Sequence, residues 1–228
     1  AMRIALFVHC YYPEHYFGTE SYTRLLARNL SELGHEPVVV TATFAGEPRQ
    51  PGLVERYRID GVQVVRVDKN LLPHAGLAET YLQPVMADIQ TQLLREIAPD
   101  VVHVTHLINH TASLLAVCEK LAIPTFATFT DFFGFCFNNK LSAADGSLCA
   151  GPNPSRSNCV ACSLFADGTA ARNPARHLLA RLVSSGATHL PILVPGWRRT
   201  ISALKDRPEH LAAAYGTYAG ALTPTRFL

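Results

Sequence analysis

Short apolar runs alternate with segments of helical periodicity along the first 130 residues of this 228-residue chain. The run over 3–8 is almost continuously apolar, as a strand buried on both faces requires. From residue 18 to 33 apolar side chains recur at helical spacing, and Gly34 is a typical helix stop. The other predicted strands are 37–43, 61–67, 100–105 and 124–128, and the other predicted helices are 78–97, kinked at Pro84, and 111–121. The alternation predicts an α/β fold with a doubly wound, Rossmann-like parallel sheet.

The composition narrows the functional class. Hydrophobic residues make up 48% of the chain, which excludes disorder as the dominant state, and the formal net charge of +2 argues against a nucleic-acid partner. No apolar run reaches the ~18 residues of a membrane span. The N-terminal apolar run ends at His9 without a small-residue cleavage site, so it is not typical of a signal peptide. We therefore expect a cytoplasmic protein, in which six cysteines indicate metal binding or thiols rather than disulfides.

A doubly wound sheet binds its ligands beyond the carboxyl ends of its strands. The loops that follow Val8, Thr105 and Thr128 are therefore expected to line one crevice. Gly18 stands where the first of these loops enters a helix, so backbone N–H groups there can approach an anion such as a phosphate. The alternative is an ordinary tight turn in which Gly18 caps the helix. The chain has no G-x-G-x-x-G and no G-x-x-x-x-G-K-[ST], which disfavours dinucleotide-binding and P-loop sites.

Five segments resemble, in order, the N-terminal domain of GT-B glycosyltransferases, most closely the retaining family 4. They are Y-P-x-H-x-x-G-x-E at 12–20, L-A-x-x-L-x-x-x-G-H-E at 26–36, P-D-V-V-H at 99–103, T-F-T-D-F-F-x-x-C at 128–136, and A-L-T-P-T-R-F-L at 221–228. The resemblance implies one half of a GT-B fold, with 1–228 as the acceptor-side Rossmann-like domain. It also implies a partner, the C-terminal donor-binding domain of the same parent protein, which this chain lacks, so the chain alone is expected to be inactive.

The same resemblance implies sugar transfer from a nucleotide-sugar to a carbohydrate or lipid-linked acceptor, with retention of anomeric configuration. It assigns catalysis to Thr130 and Asp131, and it assigns donor-phosphate and substrate binding to Phe17, Gly18, Thr19, Glu20, His103 and His106. Two positions depart from the family pattern. Phe17 stands where the family has the first loop glycine. Thr130 stands where the family has a histidine, and a threonine does not titrate near neutral pH as a histidine does.

Several alternatives stay open for these residues. A Rossmann-like module that binds a ligand or partner without turnover is the second hypothesis, and Phe17 and Thr130 favour it. Asp131 also suits a helix or turn cap. His103 and His106 also suit structural roles, because a strand at 100–105 does not force nearby histidines to converge on a metal.

Four cysteines lie in an irregular segment at 131–173. Cys136, Cys149, Cys159 and Cys162 give the spacing C-x12-C-x9-C-x2-C, which predicts a structural zinc site. Two disulfides, unpaired thiols and an iron–sulfur cluster are the alternatives, and a third functional hypothesis makes this loop the contact surface of a zinc-dependent interaction protein. Cys10 and Cys118 are interpreted as buried apolar residues.

Periodicity resumes after the cysteine segment. It predicts helices at 175–183 and 198–215 and a last strand at 218–224. Basic residues collect near the first of these helices, where they suit either an ordinary solvated face or peripheral contact with the inner face of an anionic membrane. They are Arg172, Arg176, His177 and Arg181.

Overall fold

The computed structural model describes residues 1–44, 46, 52–73, 79, 82–132, 136, 140–143, 146–151, 153, 158–159, 161–162, 175, 178 and 181–182. The chain divides into two compact units, one formed by 1–130 with 220–228 and the other by 131–219. The predicted helix at 198–215 and the predicted strand at 218–224 lie outside the described residues. Of the predicted helix at 175–183, the four described residues are helical.

The first unit contains the described strands and long helices. In chain order they are β1 (Arg3–Phe7), α1 (Gly18–Glu32), β2 (Glu36–Ala42), β3 (Val54–Ile59), β4 (Val62–Val67), α2 (Pro84–Ile97), β5 (Val101–Val104), α3 (Ser113–Lys120) and β6 (Thr125–Ala127), with a short 3₁₀ turn at Lys69–Leu71. No helix among the described residues has the length and apolarity that a membrane crossing requires.

The described strands form one sheet in the order β3-β4-β2-β1-β5-β6. From β1 the chain runs outward to β2 and β4, and then returns to the other side of β1 to form β5 and β6. Because parallel crossovers are right-handed, this reversal places the connecting helices on opposite faces of the sheet. The doubly wound, Rossmann-like prediction is therefore confirmed.

The prediction of a purely parallel sheet is wrong at one edge. β3 pairs with β4 antiparallel, from Val54 opposite Val67 to Ile59 opposite Val62. The strands join at Asp60–Gly61, where both residues have positive φ, which is the turn that an Asp-Gly pair favours. Hydropathy analysis misses this strand because three of the six residues in V-E-R-Y-R-I are charged, as is common in a half-exposed edge strand.

The predicted helix at 78–97 is shorter than expected. It begins at Pro84 instead of continuing through it with a kink. Proline suits the first helical position because its fixed φ matches the helix and its missing N–H would have no intrahelical partner there. The helix ends at Ile97, and its C-cap Ala98 has a left-handed φ of 48° and an N–H that bonds back to Leu94 O.

The core lies on both sides of the central strands. On one face of the sheet, apolar side chains of β1 and its neighbouring strands pack with α1; they are Ile4, Leu6, Val8, Ala27, Val39 and Val64. On the other face, the fully buried side chains come from β1, α2 and α3; they are Phe7, Met86, Leu94 and Leu114. This rigid centre holds the carboxyl ends of β1 and β5 side by side.

Candidate functional site

The site lies at the point where the strand order reverses, between the carboxyl ends of β1 and β5. Hydrogen bonds tie the two loops together there. Asn109 Nδ2 donates to His9 O at 2.9 Å, His110 Nε2 bonds Val8 O at 2.8 Å, and Thr105 Oγ1 donates to Phe7 O at 3.0 Å. The reversal point of a doubly wound sheet is where ligands bind, so these bonds set the floor of a candidate crevice.

The first loop enters α1 at an exposed glycine. Phe17 is the N-cap, and Gly18 is therefore the first helical residue rather than the cap. A Cβ built on Gly18 meets no atom of the described residues within 4 Å, so the glycine is not needed for packing. The Phe17 ring is 70% exposed and stacks on Tyr16 at a centroid distance of 5.7 Å.

Hydroxyl and imidazole groups gather beside this helix start. Thr19 Oγ1 donates to Thr130 Oγ1 at 2.8 Å, which joins the first turn of α1 to the end of the β6 loop. Thr128 Oγ1 lies 2.8 Å from His103 Nε2 and 3.2 Å from Tyr22 Oη. Burial lowers the pKa of His103, so its imidazole is neutral at pH 7. A neutral hydroxyl-rich rim beside a helix N-terminus suits a ligand that carries both hydroxyls and phosphate.

Two of the predicted site residues lie beneath the loop. Glu20 is 2% exposed; its Oε1 accepts from Cys10 Sγ at 2.8 Å and lies 3.3 Å from His9 Nε2. His106 is also buried, packs on the His9 ring at 4.3 Å, and accepts a bond from the Ile108 N–H through Nδ1. Glu20 and His106 therefore support the loop from below, whereas Thr19, His103 and Thr130 stand at its rim.

A protein-family model, the glycosyl transferase 4-like domain, matches residues 17–214. The chain belongs to this family. The match includes most of the residues of both compact units and confirms the family resemblance, although the motif at 221–228 lies beyond the matched residues.

Comparison with individual proteins is less informative than the family match. No curated protein matches the chain. Nine chains of solved structures match, among them a sucrose-phosphate synthase from Thermosynechococcus elongatus, with 15% identity and a TM-score of 0.38, over 57% of this chain and 33% of that one. The chain thus spans about a third of the length of that synthase.

The second unit of the glycosyl transferase 4-like domain carries Asp131, which is half buried, and the four loop cysteines. A short hairpin holds Cys149: its N–H donates to Leu141 O, and Ser142 bridges Leu148. The six cysteines, all of them in the described part, form no disulfide. No three of the four loop sulfurs come together as ligands of one ion in the described residues, so zinc there stays a prediction.

The remaining cysteines differ from each other. Cys118 is buried as predicted, and burial raises the pKa of its thiol to about 11. Cys10 is also buried, but interpreting it as an apolar residue misses its bond to Glu20. The group His9–Cys10–Glu20 is the functional candidate that sequence reasoning overlooked. Its signal was a His-Cys pair directly after a buried strand, with a glutamate in the first turn of the next helix.

Proposed function

We propose that this domain is the acceptor-side half of a retaining glycosyltransferase that uses a nucleotide-sugar donor. The observation that carries the proposal is the hydrogen bond between Thr19 and Thr130, at the reversal point of the sheet and in a member of a glycosyltransferase family. It joins the start of α1 to the loop after β6, so two separate loops present polar groups to one ligand. The retaining course and the donor class rest on the family resemblance.

The chemistry expected here is electrostatic. As the sugar leaves the nucleotide, negative charge develops on the phosphate. Backbone N–H groups at the start of α1 would stabilise this charge by donating hydrogen bonds to the phosphate. Gly18 lets that phosphate approach the backbone closely, since no side chain covers its Cα. Thr130 donates or accepts a hydrogen bond but does not move a proton at neutral pH. We therefore assign Thr130 to orienting the sugar and keep Asp131 as the proposed catalytic carboxylate.

The acceptor side is proposed more broadly. Neutral His103 and the Thr128 hydroxyl suit the hydroxyls of a carbohydrate or of the head of a lipid-linked acceptor. A lipid-linked acceptor would bring the protein to the inner face of a membrane in the cytoplasm. Of the basic residues expected to make that contact, Arg181 is described and exposed, whereas Arg172, Arg176 and His177 lie outside the described residues. The second partner is the C-terminal domain of the parent protein.

Structural zinc in the cysteine loop is a separate proposal. The C-x2-C spacing and the lack of disulfides support it, while the separation of the sulfurs requires the loop to close around the ion. Metal analysis of purified protein tests it, against a Cys159→Ser variant. Less than ~0.3 zinc lost per chain on that substitution contradicts a shared four-thiolate site.

Donor screening of the full-length protein tests the function. We expect one of the UDP-, GDP- or ADP-sugars to bind and to be transferred, with the anomeric configuration kept in the product by NMR. Thr130→Val removes the hydroxyl at nearly constant volume and is expected to lower transfer. Thr91→Val, whose hydroxyl donates to Ala87 O of the same helix, is not expected to lower it. Donor binding without any turnover favours the second candidate, the binding module that Phe17 and Thr130 suggest. No binding of any donor contradicts the proposal.

A further inference from the structure

Three metal-ligating side chains of different chemistry meet below the first loop. His9, Cys10 and Glu20 each offer one ligand atom, and the three atoms all lie within 4.8 Å of one another. His9 and Cys10 lie just after β1, and Glu20 belongs to the first turn of α1, so the fold brings them together across the loop. This is the one such group of three among the described residues.

The spacing of the ligand atoms is close to that of a tetrahedral ion. Cys10 Sγ lies 2.8 Å and His9 Nε2 lies 3.3 Å from Glu20 Oε1. Bonds of about 2.0 to 2.3 Å to tetrahedral zinc place neighbouring ligand atoms about 3.4 Å apart. Opening the Cys10–Glu20 contact from 2.8 Å by about 0.6 Å therefore suffices to seat an ion.

A second observation points to a ligand. The other carboxylate oxygen, Glu20 Oε2, is buried on a side chain that is 2% exposed, and it has no hydrogen-bond partner among the described residues. A buried carboxylate oxygen without a partner is costly, and a cation removes that cost. Hydrogen bonds within the group leave this oxygen unexplained, whereas an ion beside it would satisfy it.

We propose that His9, Cys10 and Glu20 bind a zinc-class divalent ion, with water in the fourth position. The Cys10 thiol loses its proton to solvent, and thiolate plus carboxylate then balance the two charges of the ion. The ion enters past His9, whose side chain is 16% exposed. His106 is not a ligand: its Nδ1 accepts the Ile108 N–H, which leaves the proton on Nε2, and the ring packs against His9. The bound ion ties residue 10 to residue 20 and so fixes both ends of the loop that carries Gly18.

Cobalt and zinc titrations of the purified protein test this site. In a Cys159→Ser background, which disables any site in the cysteine loop, cobalt bound through Cys10 gives a thiolate-to-cobalt absorption band. We expect Cys10→Ser in that background to abolish the band and to lower the zinc content by one ion per chain. Cys118→Ala, which removes a buried cysteine outside the group, keeps the band, and Cys159→Ser separates this site from any ion in the cysteine loop.

The Glu20→Gln variant is a second test of the site, in case Cys10→Ser fails to fold. It retains the shape of the side chain, so we expect native circular dichroism together with zinc affinity at least tenfold weaker. In the Cys159→Ser background, zinc is also expected to raise the Tm of the protein that keeps Glu20 but not of the protein that carries Glu20→Gln. The proposal is overturned if Cys10→Ser binds cobalt and zinc as the wild type does, or if the wild type binds neither outside the cysteine loop.

Discussion

The amino ends of the central strands and the carboxyl ends of β1 and β5 differ in the polar contacts they make. At the amino end, charged side chains pair in solvent: Arg3 and Glu36 meet at 2.7 Å, with 46% and 60% of their side chains exposed. Arg56 and Glu96 form a similar pair at 2.6 Å. At the carboxyl end, neutral hydroxyls and imidazoles bond one another, and a carboxylate is buried beneath them.

The exposed ion pairs keep the amino end in contact with solvent, whereas the buried polar groups belong to the candidate site. An exposed ion pair contributes little to stability, and its loss is tolerated. A buried polar group costs stability unless it is fully bonded. Among the described residues, the carboxyl end includes buried atoms without a hydrogen-bond partner, such as Glu20 Oε2 and His110 Nδ1. Such costs are typical of an end that is shaped for a ligand. Five predictions test the contrast.

The largest expected effect is acid lability centred on His110. Burial, aided by the nearby charge of Lys69, lowers the pKa of this imidazole to about 4. Because the unfolded chain takes up the proton near pH 6.5 and the native protein does not, stability is lost as pH falls from about 6.5 to 4, by up to about 3 kcal/mol. Urea unfolding at a series of pH values measures the slope. His110→Leu is expected to flatten it; an unchanged slope in that variant, with His35→Asn as control, contradicts the assignment.

Gly18→Ala is expected to reduce activity by roughly 10- to 100-fold in kcat/KM, because a methyl group would stand where the donor phosphate approaches. Folding is expected to be intact, since the new Cβ meets no described atom within 4 Å. Steady-state transfer and thermal unfolding of the same preparation measure both quantities. Full activity in the alanine variant excludes a close phosphate contact at this residue.

Thr130→Val is expected to cost about 3- to 10-fold in kcat/KM, the value of one hydrogen bond in the site. Thr19→Val is expected to cost about the same, and the double variant little more, because each hydroxyl positions the other at 2.8 Å. A double-mutant cycle measures the coupling. Fully additive losses show that the two hydroxyls act separately.

Gly34→Ala is expected to lower stability and leave activity unchanged, the opposite of the effects expected for Gly18→Ala. Gly34 has a φ of +81° at the end of α1, so a side chain there strains the backbone by about 1 kcal/mol. The position lies toward the amino end, and kcat/KM is expected to be unchanged. Chemical denaturation and steady-state kinetics decide it, and a loss of activity without loss of stability contradicts the division between the ends.

The smallest effect is expected at the exposed ion pairs. Arg3→Met and Arg56→Met are each expected to change the free energy of unfolding by less than about 1 kcal/mol. The effect is expected to shrink further in high salt, because salt screens exposed charges. A larger loss that salt does not reduce would show that these pairs stabilise the sheet.

The sequence predicts the fold best where one physical signal dominates. Buried parallel strands are nearly all apolar, so β1, β2 and β5 are visible, and topology alone then places the loops at one edge. The edge strand β3 is missed because half of its residues are charged. The start of α2 is misplaced because proline inside a periodic segment is compatible with both a kink and a first helical position.

Contacts between residues far apart in the sequence are harder to predict than helices and strands. Family motifs point to residues 17–20 and to Thr130, but the bond between Thr19 and Thr130 joins positions 111 residues apart. The burial of Glu20 is equally hidden, because a glutamate in the first turn of a helix usually faces solvent and stabilises the helix dipole. Only the packed structure shows that it turns inward toward Cys10.

Hydrogen–deuterium exchange of the full-length protein, with and without saturating nucleotide-sugar, tests the central claim most directly. Binding at the carboxyl end is expected to slow exchange of the backbone amides at 18–21 and 128–130, and to leave those at 35–36 and 60–63 unchanged. Protection confined to the amino end, with none at the start of α1, would contradict the account.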